Sequence, residues 1–142
     1  MPIKPENRAR YPRDWKQIRQ RIMARAGSGC EHPGCNAKHY DYGYRQDGRW
    51  IRIGGPCDTF AEARQRAAEE HFARFGDEVG DVKIIVIVLT IAHLDHVPEN
   101  CSDENLRALC QRHHRAHDHD HHQANAAATR RARKAVADLF DV

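Results

Sequence analysis

Residues 82–92 read VKIIVIVLTIA, and residues 93–96, which follow directly, read HLDH. The first stretch is rich in apolar, β-branched residues, which predicts a strand that is buried on both faces. A strand of this kind can hold a rigid site at its end. Because Asp95 and His96 come immediately after it, we expect the functional site of this chain at the carboxyl end of the strand.

Asp95 and His96 offer different chemistry. A carboxylate is a hard ligand for ions such as Mg²⁺, whereas a neutral imidazole, with a pKa of about 6.5, can take a proton from water. Adjacent residues on a regular strand point to opposite faces, so both can act on one phosphate only if the strand ends or bulges here. The dipeptide Val97-Pro98 predicts such an end, because proline cannot donate a ladder hydrogen bond.

Four residues have the spacing of a zinc site. Cys30 and Cys35 bracket the segment CEHPGC, whose Pro-Gly turn brings the two thiols together, and Cys110 and His113 are separated by two residues. Together they predict a Cys₃His tetrahedral site closed to solvent. Two unrelated buried cysteines at positions 30 and 35 are the alternative.

Histidines are concentrated downstream, with eight of the eleven between His93 and His122. His114 follows a predicted zinc ligand and is available for a second metal. His93 lies on the same strand face as Asp95 and is either a further metal or phosphate contact or a packed, hydrogen-bonded side chain. Residues 117–122 are interpreted as a solvated helix face and a following loop, although His117 and Asp118 lie one helical turn from His114.

The composition favours one globular domain. The chain has 142 residues, 40% of them hydrophobic and 30% charged. Its longest apolar run, residues 84–92 with only Thr90 interrupting it, has nine residues, against the roughly 20 that a membrane-spanning helix needs. No apolar stretch typical of a secretory signal follows the basic residues near Met1. We therefore expect a cytoplasmic chain with reduced cysteines, no disulfide framework and plain thiols at Cys57 and Cys101.

Charge is distributed unevenly. Residues 1–26 carry eight basic and two acidic groups, residues 27–106 eight and fourteen, and residues 107–134 seven and two. Basic flanks around an acidic middle favour an anionic partner such as nucleic acid, with solvated helix faces as the alternative. The candidate DNA contacts are Arg19, Arg25, Arg112, Arg115, Arg130 and Arg131.

The rest of the chain predicts two helices, a hairpin and a helical tail. Apolar residues at helical spacing indicate a helix over 14–26, and a capping box at Thr59 opens another over 59–75. Alternating tyrosines, an Asp47-Gly48 turn and a second apolar stretch indicate a hairpin over 40–53. The Ala- and Arg-rich residues 123–139 indicate a last helix.

The Asp95-His96 pair, Asn105 and His114 resemble the signature of the HNH endonucleases, particularly small phage-encoded members. The resemblance implies that His96 is the general base, that Asp95 and His114 bind the catalytic metal, and that Asn105 fixes the loop that orients the base. The zinc cysteines of many members resemble Cys30, Cys35 and Cys110, and His113 stands where the family usually has a fourth cysteine. His114 is the alternative zinc ligand, but the two-residue spacing from Cys110 favours His113.

The resemblance also implies the fold: α+β, with a ββα-metal (His-Me finger) core, a structural zinc knuckle, flanking helices and an extra hairpin. A single nuclease domain over 1–142 would comprise a helix and half-knuckle (1–37), an insertion (38–80), the core (81–122) and a basic helical tail (123–142). Its second strand would be Leu106–Leu109, although residues 102–104 look like a helix start.

By the same resemblance, the chain is expected to be a metal-dependent endonuclease that nicks or cuts double-stranded DNA. Zn²⁺ would be structural, and Mg²⁺, or another divalent ion such as Mn²⁺ or Ni²⁺, catalytic. Phage packaging proteins are candidate partners, and the cytoplasm of a bacterium or a phage-infected host is the expected location. A non-catalytic, zinc-stapled nucleic-acid-binding module and a metal-binding scaffold in phage assembly are the alternatives.

Overall fold

The structure of this chain is a computed structural model that describes residues 3–78, 80 and 82–140. Residues 1–2, 79, 81 and 141–142, which belong to the predicted segments 1–37, 38–80, 81–122 and 123–142, lie outside the described residues. The described chain contains short 3₁₀ helices at Pro5–Arg10 and Asp103–Asn105. Its main elements are α1 (Trp15–Arg25), β1 (Tyr42–Gln46), β2 (Arg49–Gly54), α2 (Phe60–Phe75), β3 (Ile85–Val86), β4 (Thr90–His93), β5 (Leu106–Leu109) and α3 (Gln111–Phe140).

Helix α1 forms where the sequence predicts it. Ile18 and Ile22, one turn apart, are buried, and Trp15 and Met23 pack partly against the same core. The chain leaves the helix at Gly27, whose φ of 59° is a left-handed conformation that glycine adopts without a steric penalty. The apolar stripe therefore holds α1 on the core and leaves its arginines outside.

Strands β1 and β2 form the predicted hairpin. Asp47 and Gly48 both have positive φ, 50° and 78°, as expected for a turn whose twist matches that of the two strands. The register pairs Arg45 with Trp50. Helix α2 begins with Thr59, whose hydroxyl accepts a hydrogen bond from the backbone N–H of Glu62 at 3.1 Å, as the predicted cap requires.

The predicted continuous strand over 82–92 is wrong. The segment instead forms β3, which joins β1 and β2 in a three-stranded sheet of order β2-β1-β3, and β4, which joins β5 in a second sheet. Between them the backbone bonds to a neighbouring loop: Ile87 N–H donates to Asp41 O at 2.8 Å, and Leu89 N–H donates to His39 Nδ1 at 3.0 Å. Ile87 and Leu89 are nevertheless buried, because the link runs through the core.

Strands β4 and β5 are antiparallel, from Thr90 opposite Leu109 to His93 opposite Leu106. The second strand therefore spans Leu106–Leu109 as expected, and the helix start seen near residue 102 corresponds to the short 3₁₀ helix before it. In chain order β4, β5 and α3 follow as strand, strand and helix. The helices and small antiparallel sheets confirm the mixed α+β class.

Helix α3 is a single helix of 30 residues. The predicted loop between residues 117–122 and a separate tail helix is wrong, since no glycine or proline occurs between Gln111 and Phe140 and the alanines and arginines favour continuation. Its first turns contact β4 and β5, whereas almost all of residues 119–140 are exposed. None of the helices in the described ranges has the length and apolar character needed to cross a membrane.

Candidate metal centres

Four side chains from three parts of the chain converge on one point. Cys30 and Cys35 lie in the loop after α1, Cys110 directly follows β5, and His113 lies in the first turn of α3. Their sulfur and nitrogen atoms all lie within 4.8 Å of one another. The Nδ1 atom of His113 is 3.2 Å from Sγ of Cys110 and 3.6 Å from Sγ of Cys30.

These residues fit a zinc ion. Ligand atoms about 2.1 to 2.3 Å from a tetrahedral zinc lie roughly 3.5 to 3.8 Å from one another, close to the spacing here. Hydrogen bonding from the Cys30 thiol, with further contributions from His113, lowers the pKa of Cys110 and so favours its thiolate, the form that binds metal. The structure thus confirms that the four predicted residues lie together and could bind a metal such as zinc.

Two neighbours of this cluster were not identified from the sequence. The Arg45 guanidinium donates to Sγ of Cys110 at 3.4 Å, and the ring of His32 stacks on that of His113 with centroids 3.8 Å apart. Such contacts orient metal ligands and support their charge. His32 lies inside the segment CEHPGC, but no spacing rule marks it as a partner of His113.

Asp95 lies at the start of the loop after β4, where its carboxylate is surrounded by donors. Oδ1 accepts from Val97 N–H at 2.9 Å and from Asn105 Nδ2 at 2.9 Å, and Oδ2 accepts from Asn100 Nδ2 at 2.7 Å. These bonds, with that from Asn100 first, lower the pKa of Asp95 to about 2. The carboxylate therefore organises the loop.

Asn105 closes the same loop from its other end. Its Oδ1 accepts from Asp95 N–H at 3.2 Å, and its Nδ2 also donates to Asn100 O at 2.8 Å. The backbone of His96, the next residue after Asp95, has a φ of 58°, a left-handed conformation that few residues other than glycine adopt. The resemblance implies a positioning role for Asn105, and in the structure its side chain bonds to Asp95 and Asn100 within this loop.

The side chain of His96 faces α3. Its Nε2 atom lies 3.0 Å from Oδ1 of Asp118, and its ring stacks on those of His117 and His121 with centroids 4.7 and 4.3 Å apart. His96, His117 and Asp118 are half-buried, and their ligand atoms lie within 4.8 Å of one another. We call these three residues the His-Asp cluster.

His114 lies beside this cluster and bonds to it. Its Nε2 atom is 3.1 Å from Oδ2 of Asp118, and its Nδ1 atom is the hydrogen-bond partner of the Thr90 hydroxyl. Burial lowers the pKa of His114, so the ring favours its neutral form. Within the described residues, neither His114 nor Asp95 belongs to the group whose ligand atoms converge.

The interpretation of residues 117–122 as a solvated face is wrong for its first two members, because both are half-buried. His117 contacts the carbonyl of His93 in β4, and Asp118 faces His96. Asp118 lies four residues after His114, so the helical spacing was the available signal. Of the two alternatives for His93, a metal or phosphate contact and a packed side chain, the structure shows the packed side chain. It is 8% exposed, and its ring stacks on Trp15 with centroids 5.2 Å apart.

The six candidate DNA-contacting arginines fall into two groups. Arg25 donates to Glu31, to Asp103 O and to Leu106 O, and Arg112 donates to Gly48 O at 2.6 Å, so both guanidinium groups are engaged within the chain. Arg25 thus bridges α1 and β5, and its proposed DNA contact stays a prediction. All six arginines are exposed, including the remaining four: Arg19, Arg115, Arg130 and Arg131.

Comparisons with protein-family models, with curated proteins and with solved structures give no match for this chain. Its possible function must therefore be argued from the geometry of its own two clusters.

Proposed function

We propose that this chain is a metal-dependent endonuclease that hydrolyses the phosphodiester bonds of double-stranded DNA. One observation carries the proposal: His96, in the loop three residues after β4, lies 3.0 Å from the carboxylate of Asp118, in a half-buried cluster with His117. Imidazole and carboxylate groups in this arrangement supply both of the requirements of phosphodiester hydrolysis, a site for a divalent ion and a base for water.

His96 is the proposed general base. If Nε2 carries the proton and donates it to Oδ1 of Asp118, Nδ1 keeps its lone pair and can accept a proton from an attacking water. Asp118 then holds the ring in that tautomer and stabilises the imidazolium that forms. A bound divalent ion supplies the remaining chemistry by neutralising charge on the phosphate and the leaving oxygen.

The Cys₃His cluster supports this site from a distance. It ties the loop that contains Cys30 and Cys35 to the first turn of α3, and the same helix carries Asp118 one turn later. A structural zinc ion there would fix the position of α3 against β4 and β5. We therefore propose zinc as the structural ion and Mg²⁺ or another divalent ion as the catalytic one.

The order of β4, β5 and α3 supports the resemblance to the ββα-metal core of HNH endonucleases. Exposed arginines, Arg115 in the second turn of α3 and Arg130 and Arg131 near its end, supply positive charge for a phosphate backbone. Electrostatic contacts of this kind bind DNA without reading its sequence. The proposal thus concerns backbone binding and hydrolysis.

The experiment is the conversion of supercoiled plasmid by zinc-loaded protein with added Mg²⁺, Mn²⁺ or Ni²⁺. We expect the wild type to produce nicked or linear DNA and His96→Ala to lose this activity, since general-base catalysis typically contributes about 10²- to 10⁴-fold. His119→Ala is the matched control, because His119 is exposed on α3 and its partners among the described residues are Asp120 and Gln123.

A non-catalytic nucleic-acid-binding module is the second candidate, favoured by the four converging ligands of the Cys₃His cluster and the exposed arginines of α3. It predicts that wild type and His96→Ala bind DNA and zinc equally and that neither cuts DNA with any of the three ions. That result would overturn the nuclease proposal.

A further inference from the structure

We propose that the divalent ion of this site is held by His117 and Asp118 on α3, beside His96, rather than by Asp95 and His114. The inference deepens the proposed nuclease function and rests on it. Its starting point is that ligand atoms of His96, His117 and Asp118 lie within 4.8 Å of one another, whereas Asp95 and His114 do not join a converging group of described residues.

Asp95 is less suited to the role because most of its acceptor capacity is already used inside the loop. Three donors, from Val97, Asn100 and Asn105, converge on its two oxygens at 2.7 to 2.9 Å. An ion there would compete for the same two oxygens that hold the loop, and the bond from Val97 N–H to Oδ1 spans the backbone of His96. The carboxylate next to the proposed base is therefore a loop-forming group.

His114 is unsuited for a similar reason. Both of its ring nitrogens have partners, Thr90 at Nδ1 and Asp118 at Nε2. A metal-binding histidine needs one nitrogen with an accessible lone pair. His114 instead forms a bridge from β4 to Oδ2 of Asp118, which orients that carboxylate.

His117 has the arrangement expected of a ligand. Its Nε2 atom lies 3.2 Å from the backbone carbonyl of His93, so Nε2 carries the proton and donates it, and Nδ1 keeps the lone pair. A hydrogen bond from the second ring nitrogen to a backbone carbonyl is the usual support of a metal-binding histidine, since it fixes both the tautomer and the ring orientation.

Asp118 completes the pair. Oδ2 is held by His114, and Oδ1 faces His96 at 3.0 Å and has a second lone pair for an ion. Divalent ions such as Mg²⁺ commonly use few protein ligands and complete their shell with water and phosphate oxygens. An ion on His117 and Asp118 would therefore lie within a few ångströms of the base that activates water.

The test is Mn²⁺ binding to zinc-loaded, full-length protein, measured by the electron paramagnetic resonance signal of free Mn²⁺. We expect Asp118→Asn and His117→Gln each to weaken binding at least about tenfold, the lower end of what loss of even a supporting contact costs a metal site. Asp95→Asn, and the helix controls Asp120→Asn and His119→Gln, are expected to bind Mn²⁺ as the wild type does. Zinc content and the circular dichroism spectrum report folding for every variant.

Wild-type binding by Asp118→Asn or by His117→Gln, with zinc content intact, would overturn the inference, as would loss of binding in Asp95→Asn. His96→Gln is expected to bind Mn²⁺ normally, and loss of binding there would overturn the division of roles between base and ligands. The nuclease proposal can fail separately. If the wild type binds Mn²⁺ through His117 and Asp118 but leaves plasmid uncut, the metal site stands and the nuclease proposal is overturned.

Discussion

The imidazole of His114 and the carboxylate of Asp118, one turn apart on α3, are joined by a 3.1 Å contact between Nε2 and Oδ2. The other nitrogen of His114 bonds to the hydroxyl of Thr90 on β4. A chain of contacts therefore runs from the strand through His114 to the carboxylate that faces His96. His114 therefore orients the Asp118 carboxylate by connecting it to β4.

Thr90→Val should loosen this support without changing the shape of the strand residue. Removing the hydroxyl leaves a half-buried imidazole nitrogen without its partner, which costs about 1 to 2 kcal/mol in the free energy of unfolding. We also expect slower plasmid cleavage, since Asp118 is less well oriented. Urea unfolding and initial cleavage rates check the two effects.

Thr129→Val, on the exposed part of α3, is the control for Thr90→Val. An equal loss in both variants would contradict the role of Thr90.

Zinc removal should have a much larger effect than any single contact. Structural zinc contributes on the order of 10 kcal/mol to isolated zinc-finger peptides, and here the cluster connects the loop after α1 to α3. We expect a strong chelator, or Cys110→Ser, to abolish the cooperative thermal transition followed by circular dichroism.

Cys57→Ser is the matched control, because Cys57 lies outside the cluster. It should retain about one zinc per chain, measured by atomic absorption, and the wild-type transition. A metal-free protein that still melts cooperatively at the wild-type temperature would contradict the structural role of the ion.

Stability should also fall in mildly acidic solution through His39. Its Nδ1 accepts the backbone N–H of Leu89 at 3.0 Å, and burial lowers the pKa of its ring below the usual 6.5. A group whose pKa is lower in the folded state stabilises the fold fully above its unfolded pKa, and this contribution is lost as pH falls from about 6.5 through the folded value.

The measurement is urea unfolding of zinc-saturated protein between pH 7.5 and 5.5. In His39→Asn the amide oxygen replaces Nδ1 as acceptor but does not titrate, so the wild type should lose more stability than the variant as pH falls. Parallel curves for the two proteins would contradict the assignment to His39.

Local signals in the sequence predicted local structure well. The Asp47-Gly48 turn, the Thr59 cap and the apolar stripe of α1 each depend on residues that are close together in the chain. The Cys30, Cys35, Cys110 and His113 cluster could also be predicted, because thiolates and imidazoles at these spacings have few other uses.

The parts that could not be predicted depend on distant partners. A continuous apolar run does not reveal that residues 87–89 bond to residues 39–41 and so divide the segment between two sheets. The role of Arg25 is set by Glu31 and by carbonyls of residues 103 and 106, which only the fold brings near. The sequence likewise places Asp118 among solvated neighbours, because its partner His96 is 22 residues away in the chain.

The side chain of Asn105 holds the loop between β4 and β5 in place. Asn105 makes three side-chain bonds in it, two with Asp95 and one with the carbonyl of Asn100, and these bonds hold the left-handed backbone of His96. Asn105→Ala should therefore misplace the proposed base. We expect plasmid cleavage to fall by at least about tenfold, in line with the sensitivity of catalysis to small displacements of a reacting group.

Mn²⁺ binding by Asn105→Ala should remain unchanged, because His117 and Asp118 lie on α3. Asn125→Ala, at an exposed position of the same helix, is the control for cleavage. Loss of Mn²⁺ binding together with cleavage in Asn105→Ala would instead mean that the loop carries a ligand, and it would point back to Asp95.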